Sequence, residues 1–557
     1  AGDHISAAGD IRIVSNVWAP AGAIVSVAGS VHATDSGLIA VEAEGDAVIT
    51  GDLETSGRVE LSSKTGAIDQ SVGSIVADLL AVTTSGGSVT FTGPLTITTM
   101  VDVDPTGGTV TIVNPANQLG VLELSGDHVT VQEVDDMEIG SITATASVTL
   151  TSGDAVLDAN AGGVNITSPI LTIDAAGGAG TVLDALDTTV DTLTLTVDDG
   201  DVYVDNTTTL EIAGITIDTS GSVATTALGA INVTGNITVP GNVQLTAVES
   251  ADAPDWLQDV TVADGVTITS LSDIDLRAGD DVLVAATAQL NAAGKVNIQA
   301  GFGDTDGGGA VELDGTISTG GDVDLSILGN ISLGIIDSPG QTVTLTSVNG
   351  SIIGDTSGTV DNVTADTLIA SAQDGIDLNT KVNTVDAVTT GTGNIVIRND
   401  GNVVLRDVAT TDGEISVTTI SGGDVFVDDV RASTTLTVIA AGAIEEQTPD
   451  AGIDISAGTM LLTAQTGIGT LNGALTILDL GGKASREGDE DALIASATTE
   501  AKTDRSETGR AAKDNGDPRN ETDTSQKNSA ANLAAMAGGD DALGHLRLVD
   551  ASGDEDR

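Results

Sequence analysis

Residues 394–427 read NIVIRNDGNVVLRDVATTDGEISVTTISGGDVFV, and this stretch decides the fold class. Short runs of apolar, polar and apolar residues alternate in it with turn residues of the Gly, Asp and Asn types. Alternation with a period of two, in β-branched residues, predicts short strands. The apolar runs begin 8, 12 and 10 residues apart, at Ile395, Val403, Ile415 and Val425. These intervals leave no room for a helix between consecutive strands.

The same pattern continues along most of the chain, for example at Asp10–Val14, Gly57–Leu61, Gly108–Ile112, Asn242–Leu245 and Asp322–Leu325. Evenly spaced short strands are typical of sandwiches, barrels, propellers and solenoids. The chain has only 3 Phe, 2 Trp and 1 Tyr, which is too few to fill the wide core of a sandwich. Small aliphatic inward residues favour instead a parallel β-helix, in which three short strands form one coil.

In a solenoid of this kind, one coil cannot bury its inward face alone, and neighbouring coils complete the core. Coils of roughly 20–25 residues give on the order of 20 coils over residues 1–482. The composition changes after that point, because ten of the 19 Lys and Arg residues lie beyond residue 482. The sequence therefore predicts a repetitive β-solenoid over 1–482 and a charged, largely disordered tail over 483–557, with a short helix near 528–537.

The formal net charge of −63 argues against two classes of partner. Nucleic acid and anionic membranes are both bound through basic patches, which do not fit so acidic a chain. No apolar run approaches the ~20 residues of a membrane-spanning helix, so we expect no membrane insertion within the chain. The negative charge has three alternative interpretations: it keeps the protein soluble, it forms a surface for divalent cations, or it is an adaptation to high salt. The absence of Cys rules out disulfides and Cys-ligated zinc.

Two stretches of the chain resemble a known family. The first extends from Asn117 to Leu150 and begins NQLGVLELSGDHVTV, and the second extends from Ala278 to Leu325. Both are similar to the repeats of filamentous haemagglutinin-like large bacterial exoproteins. The resemblance implies a right-handed parallel β-helix, secretion to the surface of a Gram-negative-type bacterium and a role in adhesion, without catalytic residues. The family's Asn-Pro-Asn-Gly secretion signature is absent, since Asn114–Asn117 reads Asn-Pro-Ala-Asn.

Acidic turns supply the metal candidates. Asp199 and Asp201 lie in one acidic turn, and Asp304 and Asp306 lie in a Gly-rich loop. Carboxylate oxygens are the ligands that Ca²⁺ prefers, so these four residues are candidate calcium ligands. Neither turn has the EF-hand spacing, and Asp and Gly are also ordinary turn residues. Calcium is therefore a candidate cofactor, beside the interpretation that these turns are purely structural.

Catalysis is the main alternative to a structural role, because parallel β-helices include enzymes that cleave polysaccharides. A lyase needs a basic residue near a carboxylate-bound cation, and Arg398 and Arg406 lie on successive predicted strands. We expect both instead to balance nearby Asp residues at the surface. The His residues are scattered and predict neither a metal site nor a catalytic triad; they are His4, His32, His128 and His545.

Taken together, these features predict a non-catalytic adhesive or structural stalk, secreted or at the bacterial cell surface. Its expected partner is a neighbouring or host cell surface, an extracellular matrix or a glycan, bound through a long repetitive face. Two alternatives stay open. One is a carbohydrate-active β-helix enzyme, and the other is a filament or surface-layer subunit that self-associates through bridging Ca²⁺.

Overall fold

The computed structural model describes residues 4–15, 23–160, 162–249, 258–303, 309–354, 360–448, 452–469, 475–479, 492–493 and 547–548. In these residues the chain forms strands and turns, and no helix. They belong to two compact units, Ala1–Gln341 and Thr342–Arg557. Each unit is a parallel β-solenoid, and the two contain about 20 turns in all. The predicted all-β solenoid is therefore confirmed.

The strands are short and numerous. Those of the first unit are His4–Ala8, Ile11–Val14, Val25–Val27, Ser30–Thr34, Ile39–Ala43, Ala47–Ile49, Leu53–Thr55, Arg58–Ser63, Ile68–Gln70, Ile75–Thr84, Val89–Phe91, Leu95–Pro105, Val110–Val113, Val121–Glu133, Met137–Ser152, Ala155–Asp158, Ile166–Ala175, Gly178–Ala179, Leu186–Val197, Val202–Asn206, Leu210–Ile217, Val223–Ala227, Ile231–Val233, Ile237–Val239, Val243–Ala247, Val260–Val262, Thr267–Ser270, Ile274–Ala278, Val282–Val284, Gln289–Ala292, Val296–Ala300, Val311–Thr319, Val323–Ile327 and Ile331–Ser347, the last of which contains the point of division. Those of the second unit are Ser351–Gly354, Val363–Ala372, Gly375–Lys381, Thr384–Thr389, Ile395–Asp400, Val403–Thr410, Ile415–Ile420, Val425–Val427, Val430–Arg431, Thr435–Ala440, Ala443–Glu446, Ile455–Ala457, Thr459–Ala464, Gly467–Ile468, Thr476–Asp479, Ala492–Leu493 and Arg547–Leu548.

Three strands form one coil of the first unit. Parallel pairing joins one coil to the next, as when Val223–Ala227, Ile231–Val233 and Ile237–Val239 pair with Val243–Ala247, Val260–Val262 and Thr267–Ser270. Val202 pairs with Val223, and Val223 pairs with Val243, so that equivalent residues recur once per coil. The coils that begin at Val202 and Val223 take 21 and 20 residues, whereas the coil that begins at Val243 takes 31, because Val243 pairs with Ile274. The three-strand coil agrees with the prediction, and its length agrees for the first two of these coils.

The second unit is built in the same way. Ile395 pairs with Ile415, and Val403 pairs with Val425. The alternating runs of residues 394–427 therefore belong to two columns of strands, and each pairing again advances the chain by one coil. The shorter intervals seen in the sequence are the distances between successive strands within one coil.

Some strands continue round a corner from one face of the solenoid to the next. The first residues of Val121–Glu133 pair with Leu95–Pro105, and its last residues pair with Val110–Val113. Against the following strand, Met137–Ser152, the register shifts between Gly126 and His128. Because a bulge bends a strand while the ladder continues on both sides, the chain changes direction here without leaving the sheet.

Inward-facing Val, Ile and Leu side chains form the core. In Val110–Val113 and Val296–Ala300, buried residues alternate with partly exposed ones, as the period of two predicts. Phe91 is 0% exposed and is the largest side chain in this core. Full burial of one such side chain contributes about 1.5–3 kcal/mol, and each coil adds several of them.

Glycine at a corner lets successive coils approach closely. Gly66, Gly87 and Gly108 form one column of such positions. A Cβ atom at Gly87 would lie 2.0 Å from the carbonyl oxygen of Gly66, and one at Gly108 would lie 2.1 Å from that of Gly87. Any larger residue would push the two backbones apart, so these glycines maintain the spacing of the coils as well as turning the chain.

A buried Asn closes one corner in each unit. In the first unit, Asn206 Oδ1 accepts hydrogen bonds from the Val190 backbone N–H at 2.9 Å and from the Thr188 hydroxyl at 3.0 Å. Asn206 Nδ2 donates to the Val190 carbonyl oxygen at 3.2 Å. In the second unit, Asn399 makes the same two backbone bonds to Val382, at 2.9 and 3.2 Å. These side chains satisfy backbone groups that the strand ladder leaves unpaired at a corner.

Two short strands are described beyond residue 482. Ala492–Leu493 pairs antiparallel with Thr459–Ala464, and Arg547–Leu548 pairs parallel with Thr476–Asp479. The helix predicted near 528–537 lies outside the described residues. The helix, the disorder of the tail and the domain boundary at residue 482 therefore stay predictions.

Candidate functional site

A groove crosses the first coils of the first unit. Its volume is about 510 Å³, and its lining includes His32, Asp35, Glu54, Ser56, Asp78 and Thr98. Strand register brings these residues together, because His32 pairs with Glu54 and Glu54 pairs with Val76 on successive coils. Residues that are one coil apart in the chain thus line one surface.

The groove is acidic. His32 Nδ1 lies 3.2 Å from Glu54 Oε2. Asp78 accepts hydrogen bonds from the hydroxyls of Thr99 and Thr98, at 2.5 and 2.8 Å, and these bonds hold the pKa of Asp78 below its usual value. Among the described residues that line the groove, none is Lys or Arg. Its carboxylates are therefore suited to accept hydrogen bonds from hydroxyl or ammonium groups.

His128 lies next to a hydroxyl group. Its Nδ1 atom is 2.8 Å from Ser147 Oγ. In the described part of the chain, no carboxylate is hydrogen-bonded to the other ring nitrogen, so the pair lacks the third member that orients the His in a catalytic triad. His545 lies outside the described residues.

Six Thr residues form an outward-facing column on consecutive coils of the first unit. Strand pairing places them in register as Thr90, Thr111, Thr130, Thr149, Thr172 and Thr194. Each is partly exposed, and each lies between two buried core residues of its strand. None of the six hydroxyls has a hydrogen-bond partner among the described residues. The column therefore offers its donors and acceptors to solvent or to a ligand.

Two further columns lie beside these six residues, and we call the three columns together the threonine face. One contains His128, Ser147, Ile170 and Thr192. The other contains Val113, Gln132, Thr151, Asp174 and Thr196. More than half of the residues on this face are Thr, and Asp174 is the single carboxylate among them. This nearly neutral surface contrasts with the net charge of −63 of the whole chain.

The face across the corner is acidic in two of these coils and carries hydroxyl residues in the next ones, where Ser125 pairs with Thr143 and Thr143 pairs with Thr167. Asp102 pairs with Glu123 on successive strands, and Asp104 accepts a hydrogen bond from the Ser125 hydroxyl at 2.6 Å. Partial burial, and repulsion from Asp102, raise the pKa of Glu123. In these two coils the carboxylates lie on the adjoining face and not on the threonine face.

All nine Lys and Arg residues before residue 483 are ion-paired with Asp or Glu. Arg398 Nη1 lies 2.6 Å from Asp377 Oδ1, and Arg406 pairs with Asp386. The expectation that these two Arg residues balance nearby Asp residues is confirmed. Most of the pairs join successive coils, so the basic side chains contribute to coil stacking.

Two of the four candidate calcium ligands, Asp199 and Asp201, lie among the described residues. Asp201 accepts a hydrogen bond from the backbone N–H of Ser222 on the next coil at 2.8 Å, and Asp199 accepts one from the Ser220 hydroxyl. Asp304 and Asp306 lie outside the described residues. Within the described residues, no three His, Asp or Glu side chains are grouped so that they could hold a metal ion. Calcium binding by these four residues stays a prediction.

Comparison with known proteins gives no relative for this chain. No protein-family model, no curated protein and no solved structure matches it. In the part of the chain that the structure describes, no helix has the length and apolarity to cross a membrane. The resemblance to haemagglutinin-like exoproteins therefore stays a prediction.

The sequence did not single out the groove or the threonine face. A signal for the face is present in the runs Thr149–Thr151 and Thr192–Thr196, where Thr alternates with Leu. Such runs are also ordinary strand composition. What distinguishes them is their alignment across coils, and that alignment is a property of the strand register.

Proposed function

We propose that this chain is a non-catalytic adhesive or structural protein of the bacterial cell surface, and that it binds through the threonine face. The observation that carries the proposal is the in-register repetition of neutral hydroxyl side chains over six coils. A secreted, right-handed β-helix of the haemagglutinin-like type belongs to the same proposal.

Repetition favours binding to an extended partner. Each coil presents the same kind of weak contact, and many such contacts made by one rigid body give strong overall attachment. The β-branched Thr side chains are stiff at χ1 when they lie in strands, so little side-chain entropy is lost when the face binds. An exposed, nearly uncharged surface on a strongly acidic protein is also where an uncharged partner meets the least desolvation penalty.

The proposal is tested by binding of the labelled full chain to bacterial and animal cells, to matrix proteins and to a glycan array. Thr149→Lys places a charge at the centre of the threonine face. Thr143→Lys makes the same change in the same strand, Met137–Ser152, but on the adjoining face, where Thr143 pairs with Ser125 and Thr167. We expect the parent chain and Thr143→Lys to bind at least one surface and Thr149→Lys to lose that binding.

Other results would contradict this proposal. Equal binding by the two Lys variants would show that the threonine face takes no part in the interaction. Release of oligosaccharides from a polysaccharide substrate would favour the carbohydrate-active enzyme. A sharp increase in particle size with millimolar Ca²⁺, reversed by a chelator, would favour the self-assembling filament.

A further inference from the structure

We infer that ice is a partner of the threonine face, bound through the ordered oxygen lattice at the surface of a growing crystal. The inference rests on the proposed function, because it uses the same adhesive face, and adds a partner of stated chemistry. It is carried by the geometry of the face, by the chemistry of Thr and by the distribution of charge.

The hydroxyl groups form one continuous column over six coils, and in the coils of Thr149 and Thr194 further hydroxyls lie on both sides of it. Thr130, Thr149 and Thr172 pair directly with one another on successive strands, with no shift of register between them. Their repeat across the strands is therefore about 4.8 Å, and outward residues of one strand repeat every ~6.6 Å. In a tetrahedral water lattice each O–H···O bond is about 2.7–2.8 Å long, so oxygen atoms two bonds apart are separated by about 4.5 Å, close to the repeat across the strands.

The chemistry of Thr matches a water lattice. Each hydroxyl can donate one hydrogen bond and accept two, as a lattice water does. The hydroxyls of the central column have no partner among the described residues, so their contacts with ice break no hydrogen bond within the protein. The methyl group beside each hydroxyl is weakly hydrated, which favours an ordered cage of water over it. The stiff χ1 angle keeps both groups in place.

The low charge and the residue types of the threonine face favour ice over cationic partners and over sugars. Carboxylates orient their own hydration water and would interrupt a lattice, and Asp174 is the only one on the face. A cationic partner would be attracted to the acidic face with Asp102 and Glu123 rather than to this one. Sugar rings are commonly held by stacking on aromatic side chains, and the threonine face contains no Phe, Trp or Tyr.

The face is large enough for many contacts at once. Six consecutive coils span about 24 Å at the strand separation. One flanking column continues beyond Thr196 to Thr216, Thr238 and Thr269, again by direct pairing. The register shifts between Leu193 and Thr194, where the central column ends at Gly214. Because the lattice of a crystal cannot adapt to the protein, the length of the directly paired column determines how many hydroxyls meet lattice sites simultaneously.

The test measures partition of the full chain into slowly growing ice, together with thermal hysteresis. The variants are Thr149→Lys and Thr172→Lys on the threonine face. Their matched controls are Thr143→Lys and Thr167→Lys, exposed residues of the same two strands on the adjoining face. Circular dichroism and thermal melting establish that each variant is folded, and the two pairs keep the test informative if one variant fails to fold.

We expect the parent chain and both controls to enter the ice and to separate the melting and freezing points. Both threonine-face variants should be excluded from the ice and lose the hysteresis. Exclusion of the parent chain, or equal behaviour of variants and controls, would overturn the inference. So would binding to insoluble cellulose or chitin that only the face variants lose, or a dimer in sedimentation that only they dissociate. Cell or glycan binding without ice binding would overturn the ice partner and leave the adhesive function standing.

Discussion

At the residue scale, Glu133 is a buried carboxylic acid whose pKa is shifted far from its usual value. It is 3% exposed, and its Oε1 atom accepts a hydrogen bond from the Leu119 backbone N–H at 2.6 Å. Its other carboxylate oxygen has no partner among the described residues. Burial raises the pKa of Glu133 to about 9, and repulsion from Asp135 acts in the same direction. The side chain is therefore a neutral acid near pH 7.

This protonation predicts a particular pH dependence of stability. Between the ordinary pKa of 4.5 and the folded-state value of about 9, the folded chain holds a proton on Glu133 that the unfolded chain has lost. The contribution of Glu133 to the free energy of unfolding therefore falls as pH rises through this window. Glu133→Gln has no carboxyl group to titrate at this position. The free energy of unfolding of the variant, relative to that of the parent chain, should therefore increase from pH 5 to pH 8, by up to about 1.4 kcal/mol per pH unit.

The measurement is the difference in denaturant unfolding between Glu133→Gln and the parent chain, taken at several pH values. Glu138→Gln, at an exposed residue of the following strand, is the control for removal of one carboxylate. A difference for Glu133→Gln that stays constant across the pH range would show that the carboxyl group is ionised in the folded chain.

At the scale of the element, the corners depend on single buried amides. Asn206→Ala leaves the Val190 N–H without its side-chain acceptor in a buried corner, which should lower local stability by about 1–3 kcal/mol. Asn399→Ala should have the same effect in the second unit, where Val382 takes the place of Val190. Asn242→Ala is the control, because its side chain accepts its bond from Asp273 at an exposed turn.

Native-state hydrogen exchange, followed on peptides that cover each corner, measures these effects locally. A local measurement is needed because solenoids open coil by coil, and a global melting curve averages the stability of all coils. We expect faster exchange around Val190 in Asn206→Ala and around Val382 in Asn399→Ala. Equal acceleration in the Asn242→Ala control would mean that the corner amides contribute nothing beyond an ordinary turn.

At the scale of the whole molecule, charge repulsion dominates the electrostatics. The chain has 82 Asp and Glu against 19 Lys and Arg, and every basic residue before residue 483 is already paired. The screening length falls from about 10 Å at 0.1 M salt to about 3 Å at 1 M. Exposed ion pairs are worth only about 0–1 kcal/mol each, so their weakening is outweighed by reduced repulsion between carboxylates.

Stability should therefore increase with salt. We expect the melting midpoint to rise between 0.1 and 1 M NaCl, in contrast to a protein that depends on surface ion pairs. CaCl₂ at the same ionic strength separates screening from specific binding. An additional rise with Ca²⁺ that is lost in Asp199→Asn with Asp201→Asn would support calcium at that turn. A midpoint that falls with NaCl would contradict the dominance of repulsion.

Much of the fold could be predicted from local sequence. The alternating runs Ile395–Ile397 and Val403–Leu405 both lie in strands, and their spacing gave the coil length. The core also follows from composition, because thin coils filled by Val, Ile and Leu need few aromatic residues. The corner Asn residues could not be predicted, since a polar residue between strands is as ordinary in an exposed turn as in a buried one.

By itself, the sequence determined that the chain forms short parallel strands stacked in coils, because alternation and turn chemistry act over a few residues. Only the tertiary structure decided which side chains become neighbours across coils. In the central column, the step along the chain from Thr130 to Thr149 is shorter than the step from Thr149 to Thr172, so no fixed period reveals the alignment. Turns and bulges at the corners absorb the unequal lengths, and hydrogen bonding between strands restores the register that aligns the hydroxyls.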